Sequence, residues 1–303
     1  MIRTVIDIGS NSIKMRIAKV ENKHVTVIRD ETEVVRLGKG MSETGLLNKD
    51  SMILSCNTVA KMYSKAKKFS DDIFVAGTMA LRSAINSNVF INMLNSSYGI
   101  HVHVLSGLDE AKFSWLGALD GFNIKGCAVM FDSGGGSTEF VAGFNGIMNE
   151  SVSVPVGAVN LSERFFAIHD SPVKGSACNL AIEYVTKLFN EYNIARFCLC
   201  NCEYIAVGGG AVTMAGVKHA YENFVPSKLH GSILTQRDIV RQIQMYSQLT
   251  LKERQNIIGL PATRADVILG SACIILTAMK ILKAKRVMVS INGLRHGLLL
   301  RDI

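Results

Sequence analysis

Apolar and polar positions alternate through the first 37 residues, with turn residues between the runs, which is the pattern of a β-meander. Ile2–Ile8 is apolar apart from Arg3, Thr4 and Asp7, and Gly9-Ser10-Asn11-Ser12 turns the chain. Ile13, Met15 and Ile17 then alternate with Lys14 and Arg16. Residues 25–28 and 33–37 extend the expected sheet. The spacing next predicts a helix over residues 50–69, a short buried strand over 73–76, a helix over 78–94, a strand over 101–105 and a helix over 109–119. Near Asn123 the pattern restarts. Residues 127–131 form an apolar run, 132–137 a glycine-rich turn, 138–142 a second strand and Ile147–Val154 a third. Helices are expected over 158–168 and 177–192, a strand over 204–207, mainly helices to residue 283, a strand over 286–291 and a terminal helix from Leu294.

The restart is an internal repeat. Val5-Ile6-Asp7-Ile8-Gly9-Ser10-Asn11-Ser12 matches Met130-Phe131-Asp132-Ser133-Gly134-Gly135-Gly136-Ser137-Thr138 as apolar strand, Asp-x-Gly, small polar turn and second strand. Two copies of one α/β unit imply two domains, 1–123 and 124–303, with their turns facing one cleft and the last helix returning toward the first domain. A chain of 303 residues is long enough for two such cores.

Gly and Ser turns suit phosphate. Glycine permits close backbone approach and presents N–H donors without bulk, and Ser and Thr hydroxyls add more. An aspartate at the end of the preceding strand can hold Mg²⁺ beside the phosphate, through water. Val207-Gly208-Gly209-Gly210 supplies a third glycine turn. The candidate phosphate-binding residues are therefore Ser10, Asn11, Ser12, Gly134, Gly135, Gly136, Ser137, Thr138, Gly208, Gly209 and Gly210, and the candidate metal ligands are Asp7 and Asp132.

These turns, with further segments, resemble the exopolyphosphatase/guanosine pentaphosphate phosphohydrolase family. Asp7-Ile8-Gly9-Ser10-Asn11-Ser12 is similar to its first phosphate loop. Thr78-Met79-Ala80-Leu81-Arg82-Ser83-Ala84-Ile85-Asn86 fits its T-x-A-x-R-x-A-x-N segment, and Ser106-Gly107-Leu108-Asp109-Glu110-Ala111 fits S-G-x-x-E-A. Asp132-Ser133-Gly134-Gly135-Gly136-Ser137-Thr138-Glu139 is similar to its second loop, with Ser133 where Ile is usual. Arg264-Ala265-Asp266 and Gly293-Leu294-Arg295 complete the set. Gly210 replaces a usual Thr and His296 a frequent Glu.

The resemblance implies a two-lobed, duplicated actin-like ATPase fold (ribonuclease H-like, with central mixed sheets), in the short form without a C-terminal HD-type domain. It implies Glu110 as the base that activates water, Asp132 and Asp7 on Mg²⁺ (Mn²⁺ as the alternative ion), Glu139 orienting water or metal, and Arg82 meeting a phosphate. The expected activity is metal-dependent exopolyphosphatase hydrolysis of a terminal phosphate. Guanosine pentaphosphate hydrolysis at the same site is the alternative. A less favoured reading is an actin-like ATPase or sugar kinase, which tight ADP binding and phosphate transfer to an acceptor would support; a non-catalytic polyphosphate-binding protein is disfavoured by the joint presence of Glu110 and both aspartates.

Charge and composition add bounds. The formal net charge is +8, which fits nucleic acid, anionic lipid or a polyanionic substrate and does not choose among them. With the family resemblance it mildly favours a long polyanion such as polyphosphate, with no nucleic acid or membrane expected as a partner. Lys61, Lys65, Lys67 and Lys68 cluster on one predicted helix and would touch a long polyanion only if that helix borders the cleft. The longest apolar run, 267–279, is too short to span a bilayer and reads as a core helix. No secretory leader is apparent. Seven cysteines with no paired spacing fit a reducing cytoplasm, and the alternating Cys198, Cys200 and Cys202 fit a strand face better than a zinc site. A homodimer is compatible with all of this. The P-loop, the H-E-x-x-H motif and the G-x-S-x-G elbow are absent from the sequence.

Overall fold

The computed structural model describes residues 1–166, 171–199, 201–223 and 225–301. They divide into two compact units. One comprises Met1–Gly117 with Leu294–Ile303, and the other comprises Ala118–Gly293.

The first unit is built on a five-stranded mixed sheet. Its strands are β1 (Ile2–Ile8), β2 (Ser12–Glu21), β3 (His24–Val34), β4 (Ile73–Gly77) and β5 (His103–Val104), in the order β3-β2-β1-β4-β5. β1, β2 and β3 form an antiparallel meander, and β4 and β5 join parallel to β1. Side chains leave a strand alternately to the two faces, so β1 feeds two cores. Ile6 and Ile8 pack with Val59, Met62 and Leu81, whereas Val5 packs with Leu294, Leu298 and Leu299 of the terminal helix Leu294–Leu299. That helix thus belongs to the first unit. Asp7 shares the parity of Val5, and so the face of this helix.

The second unit repeats the plan. Its strands are β6 (Cys127–Ser133), β7 (Thr138–Phe144), β8 (Ile147–Val154), β9 (Glu203–Val207), β10 (Ile233–Thr235) and β11 (Arg286–Val289), in the order β10-β11-β9-β6-β7-β8. β6, β7 and β8 form the antiparallel meander, and β9 and β11 follow in parallel. Only β10 lacks a counterpart in the first sheet. The helix Ile268–Ile281 is apolar on all sides and buried from Ile268 to Met279, the behaviour of a helix at the centre of a core. Each of its buried Ile and Leu side chains contributes about 1.5–3 kcal/mol. No helix among the described residues is long and apolar enough to cross a membrane.

Several expectations are corrected. The two strands predicted at 25–28 and 33–37 are the single strand β3 plus a loop in which Arg36 has φ 51°. The helix predicted over 78–94 is broken into Met79–Ser83 and Ser87–Tyr98, because Ala84 is extended (φ −72°, ψ 132°). At that break the Asn86 amide bridges the N–H and carbonyl of Leu47, at 2.8 and 3.0 Å. The helix predicted over 158–168 ends at Phe165, and Ile168 lies outside the described residues. Cysteine spacing predicts no pairing, yet Cys127 and Cys202 form a disulfide with Cα atoms 4.6 Å apart. The reason is topological: they immediately precede Ala128 and Glu203, partners in the parallel pair β6 and β9. Cys198 is a free thiol, and Cys200 lies outside the described residues.

Candidate active site

In the first unit, β1 delivers Asp7 to the end of the sheet, and the turn to β2 is closed by Gly9 N–H donating to Ser12 O at 3.1 Å. The carbonyls of this turn point back into the protein. Ser10 O accepts from Gly38 N at 2.8 Å, and Asn11 O accepts from Val35 N and Arg36 N at 3.1 and 2.9 Å. Asp7 is buried, lies opposite Lys14 in the β1–β2 register, and its Oδ1 has no hydrogen-bond partner. Burial pushes its carboxyl above the usual aspartate range, and the charges of Lys14 and Arg295 offset only part of that.

Glu110 stands in the first turn of Gly107–Leu119, almost fully buried. Arg82 Nη1 donates to Glu110 Oε2 at 2.8 Å and to Leu105 O at 2.9 Å. Arg82, expected to meet a phosphate, is thus engaged with the candidate base. Lys65 is bound to Glu31 at 2.8 Å and Lys67 to Asp71 at 3.2 Å, so part of the lysine cluster is spent on local ion pairs.

In the second unit, β6 ends in Asp132, and Gly134 N–H closes the turn on Ser137 O at 2.9 Å, the bond that Gly9 makes to Ser12. Again the carbonyls are tied back. Gly134 O accepts from Ala158 N at 2.9 Å, Gly135 O from Val159 N at 2.8 Å, and Gly136 O from the Asn160 Nδ2 amide at 3.0 Å. No hydrogen bond among the described residues occupies the N–H groups of Gly135 and Gly136. A peptide whose carbonyl faces inward presents its neighbour's N–H outward, which is how such a turn becomes an anion cradle.

Asp132 lies opposite Glu139 in the β6–β7 register. Glu139 is buried and accepts from Ser153 Oγ at 2.8 Å. The third glycine turn closes on the same aspartate. Gly208 has φ 95°, and a Cβ there would lie 2.8 Å from Asp132 Oδ1, so only glycine fits. A Cβ on Gly209 would meet the Arg264 guanidinium at 2.2 Å, which places that cation directly over the turn. Gly210 lies inside the helix Gly209–His219 against Ser271. Thr138 is fully buried in β7 and gives its hydroxyl proton to Val156 O at 2.6 Å, so it serves the fold rather than an anion.

Three participants were not singled out from the sequence as site residues: Arg264, Asn160 and Ser153. Arg264 belongs to a recognised motif, but nothing local to it signals a contact with a turn 55 residues earlier.

The cation chemistry fits within limits. Among the described residues no group of three or more His, Cys, Asp or Glu could hold a metal. Within the second unit the register-paired carboxylates Asp132 and Glu139, and within the first the unpartnered Oδ1 of Asp7, are each the kind of oxygen donor that suits a hard cation keeping most of its ligands as water and phosphate oxygens.

The repeated sheet, meander first and parallel strands after, with a glycine turn at the same place in each copy, is the duplicated actin-like fold. The chain belongs to the Ppx/GppA phosphatase family, whose sequence pattern matches residues 16–303. It is 28% identical, over its full length, to the bifunctional 3-dehydroquinate synthase/phosphatase of Fusobacterium nucleatum, and spans 46% of that protein's length. It is 27% identical to exopolyphosphatase 2 of Mycobacterium tuberculosis, with 89% of this chain and 87% of that protein aligned. The crystal structure of an exopolyphosphatase from Cytophaga hutchinsonii superposes with a TM-score of 0.88 at 25% identity, over 99% of this chain and 97% of that one.

Proposed function

We propose that this protein is an exopolyphosphatase that hydrolyses the terminal phosphoanhydride bond of inorganic polyphosphate with Mg²⁺. The observation that carries this reading is the turn at residues 134–136, whose carbonyls are bound inward while Asp132 stands at its root.

In the proposed reaction a water oxygen bonds to the terminal phosphorus and the bond from that phosphorus to the bridging oxygen breaks. Orthophosphate leaves, and the chain is shortened by one. Glu110 takes the water's proton, and Arg82 fixes the Oε2 edge of its carboxylate. The N–H groups of Gly135 and Gly136 and the Arg264 guanidinium bind phosphate oxygens, so most of the work is positioning and charge stabilisation. Asp132, beside Glu139, and Asp7 would hold the Mg²⁺, which when bound neutralises charge on phosphate oxygens.

A second reading, hydrolysis of guanosine pentaphosphate to tetraphosphate, is favoured by one feature. A cavity of about 430 Å³ runs along the helix Gly209–His219, whose first turn is the third glycine turn. Val212, Leu229, Leu260 and Pro261 make much of it apolar, and Tyr221, Glu222 and Asn223 add a ring, a carboxylate and an amide to its lining. Such a lining suits a flat base attached to phosphates bound at the turn.

The deciding assay measures phosphate release from long polyphosphate, tripolyphosphate, ATP and guanosine pentaphosphate side by side with Mg²⁺. Polyphosphate turning over fastest supports the first reading. Guanosine pentaphosphate turning over fastest, with that preference lost in Val212→Trp, replaces it with the second.

A further inference from the structure

The 134–136 turn owes its shape to a neighbour outside every recognised motif. Asn160 sits at the third position of the helix Ala158–Phe165 and bridges the turn to the helix start. Its Nδ2 donates to Gly136 O at 3.0 Å and to Pro155 O at 3.5 Å, while its Oδ1 accepts from Gly157 N at 2.8 Å. The amide therefore uses both ends, one on the turn and one on the helix cap. Gly157 lets the two backbones touch: a Cβ there would lie 2.4 Å from both Gly135 C and Gly136 N. The first two helical N–H groups, on Ala158 and Val159, bind Gly134 O and Gly135 O. Three consecutive carbonyls are thus held by one helix start, and the third depends on a side chain.

We propose that Asn160 is a positioning residue for phosphate recognition. By holding the Gly136 carbonyl inward it keeps the N–H of the same peptide, that of Ser137, aimed at the phosphate beside those of Gly135 and Gly136, with Gly157 providing the clearance. The proposal rests on the phosphate-turn reading above. Asn160 touches no substrate; it acts through the turn. The Asn amide is suited to this because it donates and accepts from adjacent atoms. A carboxylate of the same shape accepts from Gly157 N but turns a lone pair toward Gly136 O, where the two oxygens repel, and it adds negative charge beside the cradle.

The test compares wild type with Asn160→Asp and Gly157→Ala, and with Asn145→Ala as a control. Asn145 Oδ1 also accepts a backbone N–H, that of Gly126 at 2.8 Å, but in a hairpin away from the turn. Tripolyphosphate is the probe, with Mg²⁺ present. Its binding is measured by calorimetry, its hydrolysis as kcat and KM, and the thermal midpoint of each variant is recorded. Asn160→Asp should weaken tripolyphosphate binding and raise KM by about tenfold or more, the loss expected for one anchoring hydrogen bond to the turn. Its kcat should stay within about threefold, since the base and the carboxylates are untouched. Gly157→Ala should act in the same direction, whereas Asn145→Ala should lower only the thermal midpoint.

Binding and KM within twofold of wild type in a folded Asn160→Asp protein would overturn the proposal. If that variant does not fold, Gly157→Ala decides on the same criterion. Wild type that binds tripolyphosphate without releasing phosphate refutes the hydrolase reading, while the binding ratio of the variants still decides the role of Asn160. Wild type that does not bind it refutes both.

Discussion

Arg82 holds Glu110 by one edge: its Nη1 bridges Glu110 Oε2 at 2.8 Å and Leu105 O at 2.9 Å. A cation placed there orients the carboxylate. Arg82→Ala should therefore lower kcat by about 10²-fold, the size of effect that follows loss of a positioning contact. The two residues act as a unit, so adding Arg82→Ala to Glu110→Gln should cost little more. Additive losses in that cycle would mean that Arg82 works on the phosphate independently of Glu110.

The two copies of the repeat differ at one telling position. Asp132 faces Glu139 across its hairpin, whereas Asp7 faces Lys14. Adjacent carboxylates favour a divalent cation, so metal demand should track the second unit more strongly. Asp132→Asn should raise the Mg²⁺ concentration for half-maximal activity by about tenfold or more, and Glu139→Gln should raise it less. A Mg²⁺ titration of Asp132→Asn that overlays wild type contradicts the assignment.

Asp30 on β3 joins the terminal helix to the sheet through Arg295 and through Arg16, whose Nε lies 2.8 Å from Asp30 Oδ2. Burial pushes its carboxyl up, but the charges and hydrogen bonds of Arg295 and Arg16 together outweigh that and hold it below the usual aspartate range. A lowered folded value means stability that is fully present above the unfolded value, near 3.9, and lost as pH falls through the folded one. Because Asp30 keeps about a third of its side chain in solvent, Asp30→Asn should cost only about 1–2 kcal/mol at pH 7. Urea unfolding should show that deficit unchanged from about pH 7 to 5 and shrinking below about pH 4. A deficit that grows on acidification would be inconsistent with the linkage.

Much of the fold is legible because periodicity and glycine spacing report local constraint. Asp7-x-Gly9 and Asp132-x-Gly134 mark two equivalent hairpins, and each closes with the same Gly-to-Ser hydrogen bond. What stays hidden is which distant groups meet. Arg82 and Glu110 are 28 residues apart, and Cys127 and Cys202 are 75 apart. Parallel pairing and helix packing bring them together, and no periodic signal encodes either. Asn160 escapes notice because an amide near a helix start usually reads as local capping. Thr138 misleads in the other direction: its place in a Gly/Ser run suggests an anion donor, but strand alternation sends its hydroxyl to Val156 O. Ser133 has its Oγ buried without a partner. Nothing in the structure explains why serine stands there.

The central claim is that Glu110 drives water attack on a terminal phosphate. Its most direct test is orthophosphate release from long polyphosphate in Mg²⁺, comparing wild type with Glu110→Gln under single-turnover and steady-state conditions. The account predicts multiple turnovers by wild type, with kcat reduced by about 10²–10⁴ in Glu110→Gln and KM little changed. Turnover of Glu110→Gln within twofold of wild type, or no release by wild type from any phosphoanhydride, would contradict it.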